Sequence, residues 1–211
     1  MPATAYPLFV LPIREGDMTE FNRPAPKTLD LLLSRRSGSA KTMTGPGPSA
    51  AELRTILAAG ARVPDHGKLA PWRFIIFEGE GRARMGELLV KALLANESAA
   101  NEVRQQIERE RFLRAPLVVG VVSRAKEGIP IPVWEQQLSA GACCTNMLLA
   151  ATAMGYVGNW ITEWCAYDAR VKAGLGLAAD ECIAGFLYFG KPAAPLEERV
   201  RPDLDSLITH F

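Results

Sequence analysis

The sequence has no charge of one sign to spare. Across 211 residues, 24 Lys and Arg stand against 23 Asp and Glu, a formal net charge of +1. So balanced a chain lacks the broad basic field that nucleic acid or an anionic membrane needs, and any anionic ligand must be held by a local cluster. Cysteine is sparse: Cys143, Cys144, Cys165 and Cys182 form no CxxC pair, and the adjacent Cys143-Cys144 lacks the spacing of a zinc site. The four read as reduced thiols, mostly core filler, and no metal site is expected. Long apolar runs are missing too. "LFVLPI", near the start, is broken by Pro12 and lacks a basic leader, too short for a signal peptide or a membrane span. The expectation is a cytoplasmic protein with neither nucleic acid nor membrane as partner. No catalytic triad, carboxylate pair or internal repeat stands out either.

What is present is an ordinary globular composition, 48% hydrophobic, of a length that one large domain can use to bury a substantial core. Residues 1–26 are proline-rich without periodicity and read as an N-terminal arm lying on another surface. "TLDLLLSRRS" reads as a short helix with Thr28 as N-cap and a basic C-terminal end. Ser49 and Glu52 have the spacing of a capping box, with Leu53, Ile56, Leu57 and Gly60 following at helical intervals. "WRFIIFE" is a strand whose unbroken apolar run predicts burial on both faces, and a helical region follows over much of 82–111. "PLVVGVVS" is a second buried strand. A long helix over about 133–154 is built of small and apolar residues, which lets another backbone approach closely and makes it central, with a subunit interface as one use. "GNWITEW" reads as a third strand, Asp168 as the cap of "DARVKAGL", and "CIAGFLYFG" as the last strand. The fold class is therefore α+β, a small mixed or antiparallel sheet wrapped by helices. Residues 27–192 form the domain, and 193–211 a C-terminal arm of the same fold.

Two glycine patterns are set aside. Gly174-Leu-Gly176-Leu-Ala-Ala179 has the letters of a dinucleotide fingerprint, but it follows a helix where that motif needs a strand. The prolines of Gly45-Pro46-Gly47-Pro48 lack the N–H donors of a phosphate cradle. "RRS" (Arg35, Arg36, Ser37) carries more. Two cations at a helix end offset its dipole, yet a guanidinium fork beside a hydroxyl also suits a phosphate. In "RVPDHGKLAPWRF", His66 lies between Arg62 and Lys68: either a turn with a solvated histidine, or donors gathered around an electron-rich heterocycle.

Together, "RRS", "RxPDHxxxxPWxF", "WEQ..SAG", "GNWIT" and "GFLYFGKP" resemble the nitroreductase family, in its compact YdjA-type branch, over about residues 27–192. The resemblance implies the nitroreductase-like fold and an intertwined homodimer with two FMN sites between subunits. It implies an NAD(P)H-dependent oxidoreductase in which a hydride passes through flavin N5 to a nitroaromatic, quinone or similar small acceptor by a ping-pong cycle. No side chain need then be catalytic, because the flavin carries the chemistry. It assigns FMN to Arg35, Arg36, Ser37, Arg62, His66 and, from the other subunit, Trp160, Ile161 and Thr162. It assigns NAD(P) to Ala150, Ala151, Thr152, Ala153, Met154 and Gly155. The sequence departs from the family at Ser39 and Ile161, where cations are common, leaving Arg62, Lys191 or Arg201 to replace them near FMN. The alternatives are a non-catalytic flavin-binding or storage protein, or a specialised flavin dehydrogenase or dehalogenase on the same fold.

Overall fold

The computed structural model describes residues 26–211, and the expected N-terminal arm lies outside them. Helix α1 (Pro26–Ser34) opens the described chain. Thr28 is therefore inside the first turn and not its cap, a correction that follows from proline's suitability for a helix start. A two-residue strand β1 (Met43–Thr44) precedes α2 (Ala50–Gly60), which begins at the expected capping box. Ser49 Oγ accepts from the Glu52 N–H while the Glu52 carboxylate takes the Ser49 N–H at 2.8 Å. Then come β2 (Trp72–Phe77), α3 (Glu80–Asn96) and α4 (Glu102–Glu110), the last capped by Asn101. After β3 (Leu117–Ser123), the long helix α5 (Val133–Ala153) runs into β4 (Val157–Ile161). Helix α6 (Ala169–Gly174), capped by Asp168, and strand β5 (Cys182–Pro192) complete the core elements. Gly174 ends α6 and Gly176 sits in the left-handed turn beyond it, so that motif is a helix terminus.

All strand pairs in the described residues are antiparallel, in the order β1-β5-β3-β2 with β4 also on β5. β3 is buried throughout, whereas β2 lies at an edge and residues 73–76 are only half-buried. The predicted apolar packing on both faces of β2 holds, with Ile75 and Phe77 on one core layer and Trp72, Phe74 and Ile76 on the other, while its edge position leaves the burial partial.

The period-2 alternation of strand side chains divides the core into two layers. Val118, Val122, Phe186 and Tyr188 pack with Phe77, Met85, Leu89 and Phe112, on the side of α3 and α4. Phe112 meets Phe77 and Phe186 edge-on, with centroids 4.9 and 5.0 Å away. Leu117, Val119, Val121, Leu187 and Phe189 face the opposite way, toward Leu53 and Ile56 of α2 and Ala140, Cys143 and Met147 of α5. Each fully buried Leu, Ile or Phe contributes about 1.5–3 kcal/mol of transfer free energy. α5 is central, as expected, with Ala140, Cys143, Cys144 and Ala151 fully buried in the core. A Cβ on Gly60 would lie 2.5 Å from Met147 Cγ, so α2 approaches α5 only because Gly60 has no side chain.

Three of the four cysteines, Cys143, Cys144 and Cys165, are core filler as expected, while Cys182 is exposed. Burial pushes the Cys143 and Cys165 thiols up to about 12 and Cys144 further still.

Beneath the sheet lies a charge network with no precedent in the motifs. Glu108 is fully buried, bonded to Arg111 Nε at 2.6 Å and to Trp164 Nε1 at 3.1 Å. Burial alone would raise its pKa, but the guanidinium groups of Arg111 and Arg104 and the indole outweigh that and hold it below the usual value. Arg111 also pairs with Glu163, which Arg114 reaches at 3.2 Å.

Candidate functional site

α1 ends at Ser34, and the chain leaves it through Arg35, Arg36 and Ser37. β4 holds this loop: the Gly38 N–H donates to Gly158 O at 3.2 Å, and Asn159 Nδ2 donates to Gly38 O at 2.5 Å. Arg35 Nη1 donates to Ser37 Oγ at 3.4 Å, so guanidinium and hydroxyl share one small area. Arg36 lines the same area but is engaged, its Nε donating to Glu197 O at 2.8 Å in the C-terminal segment. That segment brings Arg199 and Arg201 over the loop, and Arg35, Ser37, Asn159, Arg199 and Arg201 line a cleft of about 590 Å³. Glu198 sits among these cations. The Arg199 N–H, then Arg201 and Arg36, keep its carboxyl below the ordinary range. Four guanidinium groups against Glu197 and Glu198 leave the cleft cationic, in a chain whose total charge is near zero.

A second cleft, of about 330 Å³, lies at the opening of α5, lined by Pro64, His66, Glu135, Leu138, Ser139 and Ala142. Its loop is unusual: Gly67, Lys68 and Ala70 all have positive φ, at 73°, 55° and 45°. Two of them carry a Cβ, which makes the conformation strained and in need of support. Asp65 provides it, its carboxylate accepting from the Leu69 N–H at 3.0 Å and the Ala70 N–H at 2.8 Å. Ser139 Oγ donates to Pro64 O at 2.6 Å and ties the loop to α5. His66 Nδ1 lies 2.8 Å from Glu135 Oε2, with both side chains partly open to solvent. Arg62 lines neither cleft and is exposed, its carbonyl accepting from Asn146 Nδ2 at 3.1 Å.

Trp160 is partly exposed, donating from Nε1 to Ala184 O at 3.0 Å and lying over Gly185, where a Cβ would meet the indole nitrogen at 2.0 Å. Ile161 packs on the Phe112–Phe186 layer of the core. Thr162 follows the end of β4, before Glu163 at a φ of 54°. Ala150 to Ala153 are the last turn of α5, Met154 caps it, and Gly155 turns the chain at a φ of 76°. Lys191 is engaged there: Nζ donates to Gly155 O at 2.7 Å and stands 3.8 Å over the Tyr156 ring.

The structure thus brings Arg35, Arg36, Ser37 and Arg201 together, places His66 in a separate cleft of the same chain, and sets Lys191 against Tyr156. Motif reading passed over Asn159, Arg199 and Glu135. The first two lie beside flagged positions, in "GNWIT" and "RVR", and Glu135 is the acid of "WEQ". Among the described residues, no group of three or more His, Cys, Asp or Glu is placed to hold a metal ion, and no helix is long and apolar enough to cross a membrane.

Residues 32–191 match the model of the Nitroreductase family. The chain is 35% identical over 184 residues to an Escherichia coli K12 protein named "Putative NAD(P)H nitroreductase YdjA", covering 87% of this chain and 98% of that protein. It is 33% identical over 185 residues to a "Putative NAD(P)H nitroreductase" of Haemophilus influenzae, with the same coverage of 87% and 98%. Among solved structures, it shares its fold with a nitroreductase-like family protein from Bacillus cereus, at a TM-score of 0.78 and 22% identity over 90% of this chain and 98% of that one. A nitroreductase with bound FMN from Bacteroides fragilis superposes at a TM-score of 0.67, with 22% identity over 89% of this chain and all of that one.

Proposed function

The chain belongs to the nitroreductase family, and from that premise we propose that it is an FMN-dependent oxidoreductase carrying a hydride from NAD(P)H to a small acceptor, a nitroaromatic or a quinone. The observation that carries this reading is the cationic cleft of Arg35, Ser37, Arg199 and Arg201. Its donor set suits a phosphate monoester: guanidinium forks match phosphate oxygens, and charge-assisted hydrogen bonds are the strong ones. Arg35 and Ser37 would hold the FMN phosphate and ribityl chain, with Arg199 and Arg201 adding charge from the C-terminal segment. Arg36 fastens that segment in place through Glu197. When bound, FMN supplies the two-electron chemistry, and the protein's part is to position the ring and exclude competing reactions.

His66, Arg62 and the Trp160–Thr162 segment would complete the ring's surroundings across a homodimer interface, and the end of α5, Ala150 to Gly155, would receive the nicotinamide nucleotide. The names of the relatives support the nucleotide, and a cytoplasmic location fits a chain that draws on soluble NAD(P)H. A flavin-binding protein without turnover is the second reading. It is favoured by Ile161, which packs on the core at a position where the family often carries a cation. The test is an absorbance spectrum of the purified protein with added FMN, followed by anaerobic NADPH or NADH. Stoichiometric FMN uptake and bleaching near 450 nm (approximately, for any oxidised flavin) support the oxidoreductase. Uptake without bleaching leaves the storage reading, and no uptake by folded protein removes both.

A further inference from the structure

The contact between His66 and Glu135 has no part in holding a phosphate, and its geometry is that of an oriented imidazole. Nδ1 lies 2.8 Å from Glu135 Oε2, so in the neutral ring Nδ1 carries the proton and Nε2 is the free position. Among the described residues Nε2 has no protein partner. Glu135 is in the first turn of α5, a rigid 21-residue helix whose start is pinned by Gln136, which bonds Lys126 N, Lys126 O and Ile131 O. His66 stands at the head of the left-handed loop, whose shape Asp65 and Ser139 maintain. The backbone that carries each residue is therefore held in place, and the two exposed side chains meet at the mouth of a cleft walled by Pro64, Leu138 and Ala142. Asp65 is committed to two backbone N–H groups, and Lys68 is exposed.

We infer that His66 is the proton donor to the electron acceptor and that Glu135 is its positioning residue. The inference rests on the proposed flavin function and deepens it, because it names acceptors whose oxygen must be protonated as they are reduced. When bound, the reduced flavin would supply a quinone with a hydride, two electrons with one hydrogen, and would itself return to the oxidised form. The quinone oxygen gains the second hydrogen as a proton: the imidazolium Nε2–H bond breaks as the O–H bond forms. The neutral imidazole then regains a proton from water, and Glu135 keeps Nδ1 protonated throughout. General acid catalysis of this kind contributes about 10²–10⁴-fold.

Two measurements test the pair. In unloaded protein, ¹⁵N NMR of the imidazoles is simple because the chain has two histidines, His66 and His210. Neutral His66 should carry its proton on Nδ1, and Glu135→Ala should return it to the usual Nε2–H form. In FMN-loaded protein reduced anaerobically, re-oxidation by p-benzoquinone is followed against pH by stopped flow. His66→Gln should slow re-oxidation about 10²-fold more than it slows reduction by NAD(P)H, and should abolish the fall in rate at high pH. Glu135→Ala should give a smaller loss in the same step. Failure to take up FMN overturns the oxidoreductase reading and this inference with it. Normal uptake and reduction, with re-oxidation by His66→Gln as fast and as pH-dependent as in the parent, overturns this inference alone, as does an Nε2–H tautomer in the parent protein.

Discussion

Asn159 Nδ2 donates to the Gly38 carbonyl at 2.5 Å, and through this bond a strand of the sheet holds the loop that carries Arg35 and Ser37. The loop's own contacts are few, so its position is set from β4. Asn159→Ala removes one hydrogen bond from a half-buried site, worth about 1 kcal/mol. FMN affinity should fall several-fold while the fold persists. Flavin fluorescence titration measures it, and an unchanged dissociation constant would remove Asn159 from the site.

Adjacent arginines should behave differently. Arg35→Ala should cost about 1.5–3 kcal/mol of FMN binding, as expected for a hydrogen bond to a charged group. Arg36→Ala should cost clearly less, because Arg36 donates to Glu197 O and faces Glu198. Its loss should appear instead as faster proteolysis within residues 193–211. Calorimetric titration with FMN and limited proteolysis separate the two roles, and equal affinity losses would contradict the division.

Glu181 governs an acid-sensitive contact. Arg73 binds its carboxylate through two nitrogens, at 2.7 and 2.6 Å, with the Ala178 N–H and Arg124 nearby. Arg73's hydrogen bonds, opposed by burial and aided by Ala178, bring its pKa down to about 2 from an ordinary 4.5. A depressed carboxyl pKa stabilises the fold above the unfolded value, so the contribution is complete above about pH 5 and is lost as pH falls toward 2. Allowing for solvent around Arg73 and Arg124, it amounts to about 1–2 kcal/mol. Denaturant titrations at pH 7 and pH 3 should show Glu181→Gln losing less stability on acidification than the parent. Parallel losses would place the acid sensitivity elsewhere.

Gly86 marks the tightest meeting of α3 with α4. A Cβ there would lie 2.3 Å from Arg109 O and 2.9 Å from its carbonyl carbon, both backbone atoms that cannot swing aside. Gly86→Ala should therefore destabilise by about 3 kcal/mol or more, at the upper end for overpacking. Gly79→Ala meets no atom within 4 Å and is strained only by its φ of 49°, so it should cost less. Thermal melts compare the two, and equal midpoints would show that α4 yields.

Local features were legible in the sequence. Ser49 and Glu52 are three residues apart and satisfy each other whatever else the chain does, so the capping box could be read directly. β3 and the length of α5 followed from apolar runs and small-residue composition, and the nearness of the Arg35 guanidinium to the Ser37 hydroxyl from a short motif. Illegible features depend on partners distant in sequence. Nothing near Glu108 announces that Arg111 will bridge it to Glu163, and the edge position of β2 is a property of the whole sheet. His66 was visible, but its partner lies 69 residues away. The left-handed backbone at Lys68 and Ala70 has no residue signature, because only Gly67 is of the type that adopts it freely. The α1 start was misplaced because a threonine and a proline two residues apart both signal a helix beginning.

The distribution of sulfur gives the chain an intrinsic reporter. Thiolates, not thiols, react with alkylating reagents, so Cys143, Cys144 and Cys165, interior and resistant to ionisation, are shielded twice over. Cys182 alone is open, where β5 begins opposite Ser123. A maleimide dye should therefore label the native chain at a single address without any engineered cysteine. The uptake of three further labels would time the rare openings of the core: two thiols on α5, and one beside the strap that Arg111 and Glu163 close.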